Sequence, residues 1–398
     1  MNAQHNFLKQ IQRRDFLKSA SIAAGAYAFG PHLLAADYLT KPNHGKLIAH
    51  STDAMNAEPP LKDLIQSWIT PNDLFYIRSH APVPKIDTKT FRLKVKGLVE
   101  KEIELNLEEL AAMKQQTAVA TMTCAGNRRY EHSRISPIKG VPWQEGAIGN
   151  AKWSGALLSE VLKRAGVKSE AKHVWFDGLD EIAKGDGIIP FGASIPLAKA
   201  MDDSSTMPGT LLCTHMNGEA LPPDHGYPLR TVVPGYIGAR SVKWLGTINV
   251  SDKPSTNHYI ATAYKVVEEG TDLEWAEEGP IYRFPINSVI CTPSPNEKLK
   301  PGKVQVAGYA LPPGEADRTI TRVDVSADGG KTWQRAKISS PVNAYCWVLW
   351  KLNLDVANGT DEIMVRAIDS KRNVQPRRVD WNMKGYLWNA WHRVPVDI

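Results

Sequence analysis

The chain has 398 residues, of which 42% are apolar and 23% charged, with a formal net charge of +6. That length allows two domains with sizeable cores, and the balance excludes wholesale disorder. About half of the positive excess sits in the first 36 residues, where Lys9, Arg13, Arg14 and Lys18 face only Asp15; the rest is too mild, and too free of basic tracts interleaved with aromatics, to indicate a nucleic-acid partner.

The first element is "QRRDFLKSASIAAGAYAFGPHLLAAD". Its charged start, uncharged apolar middle and paired Arg13-Arg14 predict a twin-arginine export signal over residues 1–36. Residues 19–36 barely reach membrane-spanning length and contain Gly25, Gly30, Pro31 and His32, which argues against a permanent anchor. The expected destination is the periplasm, reached as a folded protein, with no membrane segment left after removal of the signal.

A Pro-rich lead-in follows, and then "FRLKVKGLV" (91–99), whose alternation predicts a strand. "NLEELAAM" (106–113) predicts a short helix capped by Asn106. "TAVATMTCAG" predicts a strand that delivers Cys124 to a loop. "SGALLSEVLKRAG" predicts a helix capped by Ser154 and ended by Gly166, with Leu157, Leu158, Val161, Leu162 and Ala165 as its buried stripe. Strands alternate with long Gly, Pro and His loops through "DHGYPLRTVVPGYIGARSVKWLG", so residues 37–275 read as an α+β domain with its site on loops. "GTDLEWAEEGPIYRFP" forms an acidic, Pro-interrupted link. From residue 286 to 398, "KVQVAGYA", "ITRVDVSADGGKTWQRAKI", "YCWVLWKLNL" and "DEIMVRAID" read as an all-β sandwich of immunoglobulin-like size, with a hairpin turn at "DGG".

The chemistry is concentrated around one thiol. Cys124, Cys213, Cys291 and Cys346 contain no C-x-x-C pair, which excludes a zinc ribbon and a c-type haem in this chain. Cys213 and Cys346 lie in apolar runs and read as buried free thiols. Cys124, in "TMTCAGNRRYEH", precedes Arg128 and Arg129, permanent cations of the kind that favour a thiolate. As a nucleophile it would need a base; His80, His132, His215 and His225 are available, none in a recognisable hydrolase context. As a metal ligand a single thiolate suffices only if a cofactor brings the other ligands. A structural cysteine in a basic loop accounts for these residues equally well. "YIRSH", "DHGYPLR" and "GARSVK" place cations in glycine-containing loops suited to phosphate or pterin edges.

"TCAGNRR", "GVPWQEGAIGNAKWSG", "GASIPLAKAM", "MNGEALPPDHGYPLRTVVPGYIGARSVKWLG" and "WNMKGYLWNAWHRV" together resemble the sulfite oxidase family of molybdopterin enzymes, and most of all its bacterial periplasmic sulfite dehydrogenases. The resemblance runs from about residue 60 to the C-terminus. It implies a molybdopterin-binding α+β domain followed by an immunoglobulin-like dimerisation domain, hence a homodimer. It implies oxidation of sulfite to sulfate, with Cys124 as the one protein ligand to molybdenum. Tyr76, Arg78, Ser79, His80, Asp180, His225, Arg230, Ser241, Val242 and Lys243 match cofactor contacts. Arg78, Arg129 and Trp143 match the anion pocket, and Tyr264 matches the active-site tyrosine, with Tyr259 as the other candidate. The family's usual W-N-x-R-G here reads "WNMKG", so Lys384 keeps a charge but loses the guanidinium fork. With no haem domain preceding the molybdenum domain, the expected electron acceptor is a separate c-type cytochrome. A sulfane dehydrogenase subunit acting on carrier-bound sulfur is the alternative.

Overall fold

A computed structural model describes residues 46–204, 208–267 and 279–398. The expected export signal, and the expected end of the first domain at residue 275, lie outside the described residues.

Two five-stranded sheets make up most of the first half. One runs in the order Gly192–Pro196, His173–Gly178, Leu245–Ser251, Leu93–Gly97, Ile103–Leu105, with a parallel pair between Leu245–Ser251 and Leu93–Gly97. Alternation buries Leu93 and Val95 and exposes Lys94. The other runs Glu219–Ala220, Leu211–Met216, Ile148–Leu157, Gln115–Thr123, and Arg230–Val232 also pairs with Leu211–Met216. The helix Leu107–Ala112 starts at Asn106 in a full capping box: Asn106 Oδ1 accepts from the Glu109 N–H at 2.8 Å, and Glu109 Oε2 accepts from the Asn106 N–H at 2.9 Å.

The helix expected from Ser154 starts later. Ser154 is the seventh residue of the strand Ile148–Leu157, and the helix spans only Leu158–Ala165, with no side-chain cap. Ladders on both sides hold Ser154 extended, opposite Thr117 and His215, and its hydroxyl bonds Thr117 Oγ1 at 2.8 Å. Two ladders of backbone hydrogen bonds outweigh one local cap. The apolar stripe still goes inward: Leu158, Val161, Leu162 and Ala165 are buried in the core of this half.

The second half is a sandwich of two sheets. Asn287–Thr292, Gly302–Leu311, Val348–Val356 and Lys337–Ile338 form one; Glu297–Lys298, His392–Asp397, Glu362–Asp369, Ile320–Ser326 and Gln334–Arg335 form the other. Ile290, Val306, Val323, Val325, Val348, Trp350, Ile363, Val365 and Val394 fill the space between them. No helix among the described residues is long and apolar enough to cross a membrane.

A buried polar network joins the halves directly behind the Cys124 loop. The fully buried Arg128 donates from Nε to Glu131 Oε1 at 2.6 Å, and from Nη1 to Asn287 Oδ1 and the Ala390 carbonyl. Tyr309 donates its hydroxyl to the Glu145 carbonyl and accepts from Asn127 Nδ2. His392 Nδ1 accepts from the Ile290 N–H, so its Nε2 carries the proton and donates to Glu145 Oε1 at 3.0 Å. Tyr130 donates to the same oxygen at 2.5 Å. Burial opposes the charge on Glu145, but the hydrogen bonds from His392 and Tyr130 and the charge of Arg128 prevail and pull its carboxyl down to about 2.

Arg128→Leu strands Glu131 without its cation and is expected to cost about 3–5 kcal/mol in chemical denaturation. The contribution of Glu145 is present above its unfolded value of 4.5 and lost as pH falls through about 2. Glu145→Gln should therefore flatten that acid limb in a plot of denaturation midpoint against pH.

Candidate active site

Cys124 is the first residue beyond the strand Gln115–Thr123. Its N–H donates to the Ala147 carbonyl at 2.9 Å, its carbonyl accepts from the Asn127 N–H at 3.0 Å, and its Sγ accepts the Gly126 N–H at 3.4 Å. The sulfur is thus fixed by backbone on a tight turn. The two following arginines diverge: Arg128 turns back into the domain junction, and Arg129 alone stays on the Cys124 side, its side chain lying against Gly126. The pairing of both cations with the thiol that adjacency suggests is therefore not formed, because the left-handed backbone of Arg128 (φ 68°) sends its side chain away.

Cys124 lines a solvent-connected cavity whose free space, counting open solvent at its mouth, is about 660 Å³. Tyr76, Arg78, Ser79, His80, Asp180, His225, Arg230, Ser241, Lys243 and Tyr264 line it too, so residues far apart in sequence meet around one sulfur. Arg78 donates from Nη1 to Asn56 Oδ1 at 3.0 Å and to the Ser79 carbonyl, and from Nη2 to His80 Nε2 at 2.7 Å. Lys243 Nζ donates to Ser79 Oγ at 2.7 Å and to the Asp224 carbonyl at 2.8 Å. Arg230 donates to the carbonyls of His225 and Ser241 and to Met122 Sδ, and lies over Trp153. Asp180 accepts from the Phe191 N–H. His225 sits at the end of a short 3₁₀ turn, with Nε2 at 3.2 Å from the Asn72 carbonyl.

Among the described residues, none of Arg78, Arg129, Arg230 or Lys243 has a carboxylate at ion-pair distance; they bond carbonyls, a hydroxyl, an amide oxygen, an imidazole nitrogen and a thioether. Burial pushes the Lys243 ammonium down to about 7, with Asp224 and Asp180 only partly offsetting it, and burial pushes Arg230 down to about 10. Such a pocket favours an anion.

Tyr264 reaches the cavity from a left-handed backbone (φ 53°), its carbonyl accepting from the buried Arg240. Its Oη is 3.4 Å from His80 Nε2. Tyr259 stays behind it, its ring packed on His80 and Phe191 at 4.4 and 4.5 Å. Of the two tyrosines, only Tyr264 faces the cavity with Cys124.

Four of the expected residues do not line this cavity, Arg129 among them. Val242 turns its side chain into the core, and only its backbone, bonded through N–H to Thr231 Oγ1, runs along the site. Trp143 is fully buried, edge-on to Tyr76, and its indole N–H has no acceptor among the described residues. Lys384 contributes a carbonyl that accepts from Arg129 Nε at 3.0 Å. Of the candidate bases, His132 packs on Trp388 beside the Tyr386 carbonyl and His215 is exposed, so neither serves Cys124. All four cysteines are free and buried, and burial pushes Cys213, Cys291 and Cys346 upward.

Phe75, Met122, Phe191, Asp224 and Trp244 also line the cavity and had no place in the sequence reading. Met122 carried a usable signal, since it lies two residues before Cys124, near the end of the strand that delivers it, where alternate residues share a face. Asp224 sits in the same D-H-G turn as His225. Phe191 had no signal, because it arrives on a loop, just before the strand Gly192–Pro196, far from Cys124 in sequence.

The donor set fits a molybdopterin. It offers one thiol as a metal ligand, a cationic wall short of counter-charge for a phosphate, and aromatic faces for a pterin. The oxidoreductase molybdopterin-binding domain family matches residues 80–259, and the Mo-co oxidoreductase dimerisation domain family matches residues 278–398. Sulfite oxidase from Gallus gallus is 41% identical over 366 residues, covering 88% of this chain and 78% of that protein. Sulfite oxidase from Arabidopsis thaliana is 38% identical over 377 residues, covering 89% and 94%. The crystal structure of the sulfane dehydrogenase SoxCD from Paracoccus pantotrophus superposes with a TM-score of 0.73 at 28% identity over 94% of each chain.

In the cofactor-free protein Lys243 has a folded value of about 7 against 10.5 unfolded, so the unfolded chain binds the extra proton between them and stability rises with pH across that window. Thermal melts of cofactor-free protein from pH 6 to 10 should show this rise, and Lys243→Met should remove most of it.

Proposed function

Because the chain belongs to the sulfite oxidase family of molybdopterin oxidoreductases, we propose that it oxidises sulfite to sulfate and passes the electrons to a separate c-type cytochrome. The single observation that carries this reading is the cavity itself: one backbone-fixed thiol among cations that, among the described residues, lack carboxylate partners. When bound, the molybdenum centre supplies the two-electron redox chemistry by which sulfite and water become sulfate, two protons and two electrons. Cys124 would be the metal ligand. Lys243, Ser79, Arg230 and Ser241 would hold the cofactor's anionic end, and Tyr76, His225 and Asp180 would border the pterin.

Arg78 and Arg129 would hold the substrate oxyanion and stabilise the charge that shifts during transfer. Arg78 is well fixed for this, with Asn56, Ser79 and His80 all holding its guanidinium. Burial raises the Tyr264 phenol above its ordinary range, although Arg78 opposes the shift. Tyr264 therefore keeps its proton, and its Oη can donate to a substrate oxygen. Burial, with Arg78 and Lys243, keeps His80 neutral, leaving Nε2 as an acceptor beside that hydroxyl. Lys384 adds a single charge where the family usually carries a fork; burial and the neighbouring Lys184, Arg129 and Lys139 push its ammonium down.

The twin arginines at 13 and 14 support export to the periplasm, and the match to a dimerisation domain supports a homodimer. A second reading, oxidation of carrier-bound sulfur, is favoured by the structural likeness to a sulfane dehydrogenase and by the loss of the arginine fork at Lys384. Turnover of free sulfite against a protein-conjugated persulfide separates the two.

Cys124→Ser is expected to abolish sulfite-dependent cytochrome c reduction in a protein that keeps its melting temperature; retained turnover would remove Cys124 from the metal. Arg129→Gln is expected to raise the KM for sulfite about tenfold or more by removing one charge-assisted anion contact, with little change in the melt. Steady-state kinetics beside a thermal scan test both.

A further inference from the structure

Arg129 is held from several sides. Nε donates to the Lys384 carbonyl at 3.0 Å and Nη1 to the Val141 carbonyl at 2.9 Å. Gly126 and Gly385 give it room, since a Cβ at Gly126 would lie 2.6 Å from Nη2 and one at Gly385 would lie 2.7 Å from Cγ. The remaining wall is aromatic: the guanidinium lies over the ring of Tyr386, 5.1 Å from its centre. The same ring stacks on Tyr264, with centres 5.3 Å apart and planes within 16°. Its hydroxyl also meets the backbone of Tyr264. Tyr386 itself is anchored by Asn382, whose Oδ1 accepts from the Tyr386 N–H and whose Nδ2 donates to the Tyr386 carbonyl.

We propose that Tyr386 is a positioning residue whose ring sets Arg129 and Tyr264 relative to one another, and so couples anion binding to the catalytic tyrosine. With Lys384 unable to fork, Arg129 is left as the guanidinium on this side of the pocket, and its orientation matters more. A buried aromatic serving only core packing would have no need to touch both groups. Tyr386 touches both because it follows Gly385, whose left-handed backbone (φ 60°) swings the chain across the Arg129 side chain.

The inference rests on the sulfite reading for its kinetic arm alone, so a second readout is included. Holoenzyme is prepared as wild type, Tyr386→Phe and Tyr386→Leu, with Tyr386→Met as the second ring-free variant if the leucine protein does not fold. Sulfate affinity is measured by titration calorimetry, and KM and kcat are measured with sulfite. Removing the ring should weaken sulfate binding and raise KM by about fivefold or more, with kcat also falling as Tyr264 loses its stacking face. Tyr386→Phe should keep sulfate affinity and KM within about twofold, since a phenyl ring retains the same face. The proposal is overturned if the ring-free variants bind sulfate and sulfite as wild type does, or if Tyr386→Phe loses as much as they do. It is also overturned if wild type binds no sulfate, since Arg129 then holds no anion. Wild type that binds sulfate but does not oxidise sulfite overturns the functional reading and leaves the calorimetric comparison to decide Tyr386.

Discussion

The structure depends on how it treats buried positive charge. Two kinds of site lie within one loop of each other. At the domain junction the cation is matched inside the protein, Arg128 by Glu131, and Glu145 is held ionised by His392, Tyr130 and Arg128. Around Cys124 it is not: Arg78, Arg230 and Lys243 are held mainly by neutral acceptors. A cation held by neutral dipoles keeps its charge available to a ligand, and the depressed values of Lys243 and Arg230 record what burial without a full counter-charge costs. The turn at Cys124 to Arg129 separates the two regimes, and it does so by sending consecutive arginines in opposite directions.

That geometry explains why the C-terminal sandwich belongs to the site. Asn287, Tyr309, Ala390 and His392 brace the loop from behind. The segment from Trp381 to Trp388 then returns to the first domain, where the Leu387 N–H bonds the Ala125 carbonyl and Trp388 Nε1 donates to Glu131. The Cys124 turn is therefore clamped by both halves of the chain. A β-sandwich expected to serve for dimer contacts also sets the position of the thiol.

Local order was the legible part of the fold. The capping box at Asn106 was readable because Asn106 and Glu109 are neighbours and need nothing from elsewhere. The strand that delivers Cys124 was readable as a run ended by Gly126, and the sandwich from repeated short strands beyond residue 286. Ser154 was misread because what decided its conformation was pairing with two strands far away in sequence. Arg128 and Arg129 looked equivalent because adjacency says nothing about where side chains go once φ changes sign. For the site, the family's motifs named ten residues that do line the cavity besides Cys124, yet Phe191 lay outside them and Trp244, though inside one, carried no assigned role. Trp143 and Arg129 lie outside the cavity lining, and Val242 offers backbone only. A motif records which residues recur together, while orientation is set by tertiary packing.

The central claim is that the Cys124 sulfur binds a pterin-held molybdenum. X-ray absorption at the molybdenum edge, on protein isolated from its native host, tests it most directly. The account predicts about one molybdenum per chain, and a Cys124→Ser protein whose metal has one sulfur neighbour fewer than wild type. An unchanged sulfur shell in the serine protein, or folded wild type without molybdenum, would contradict it.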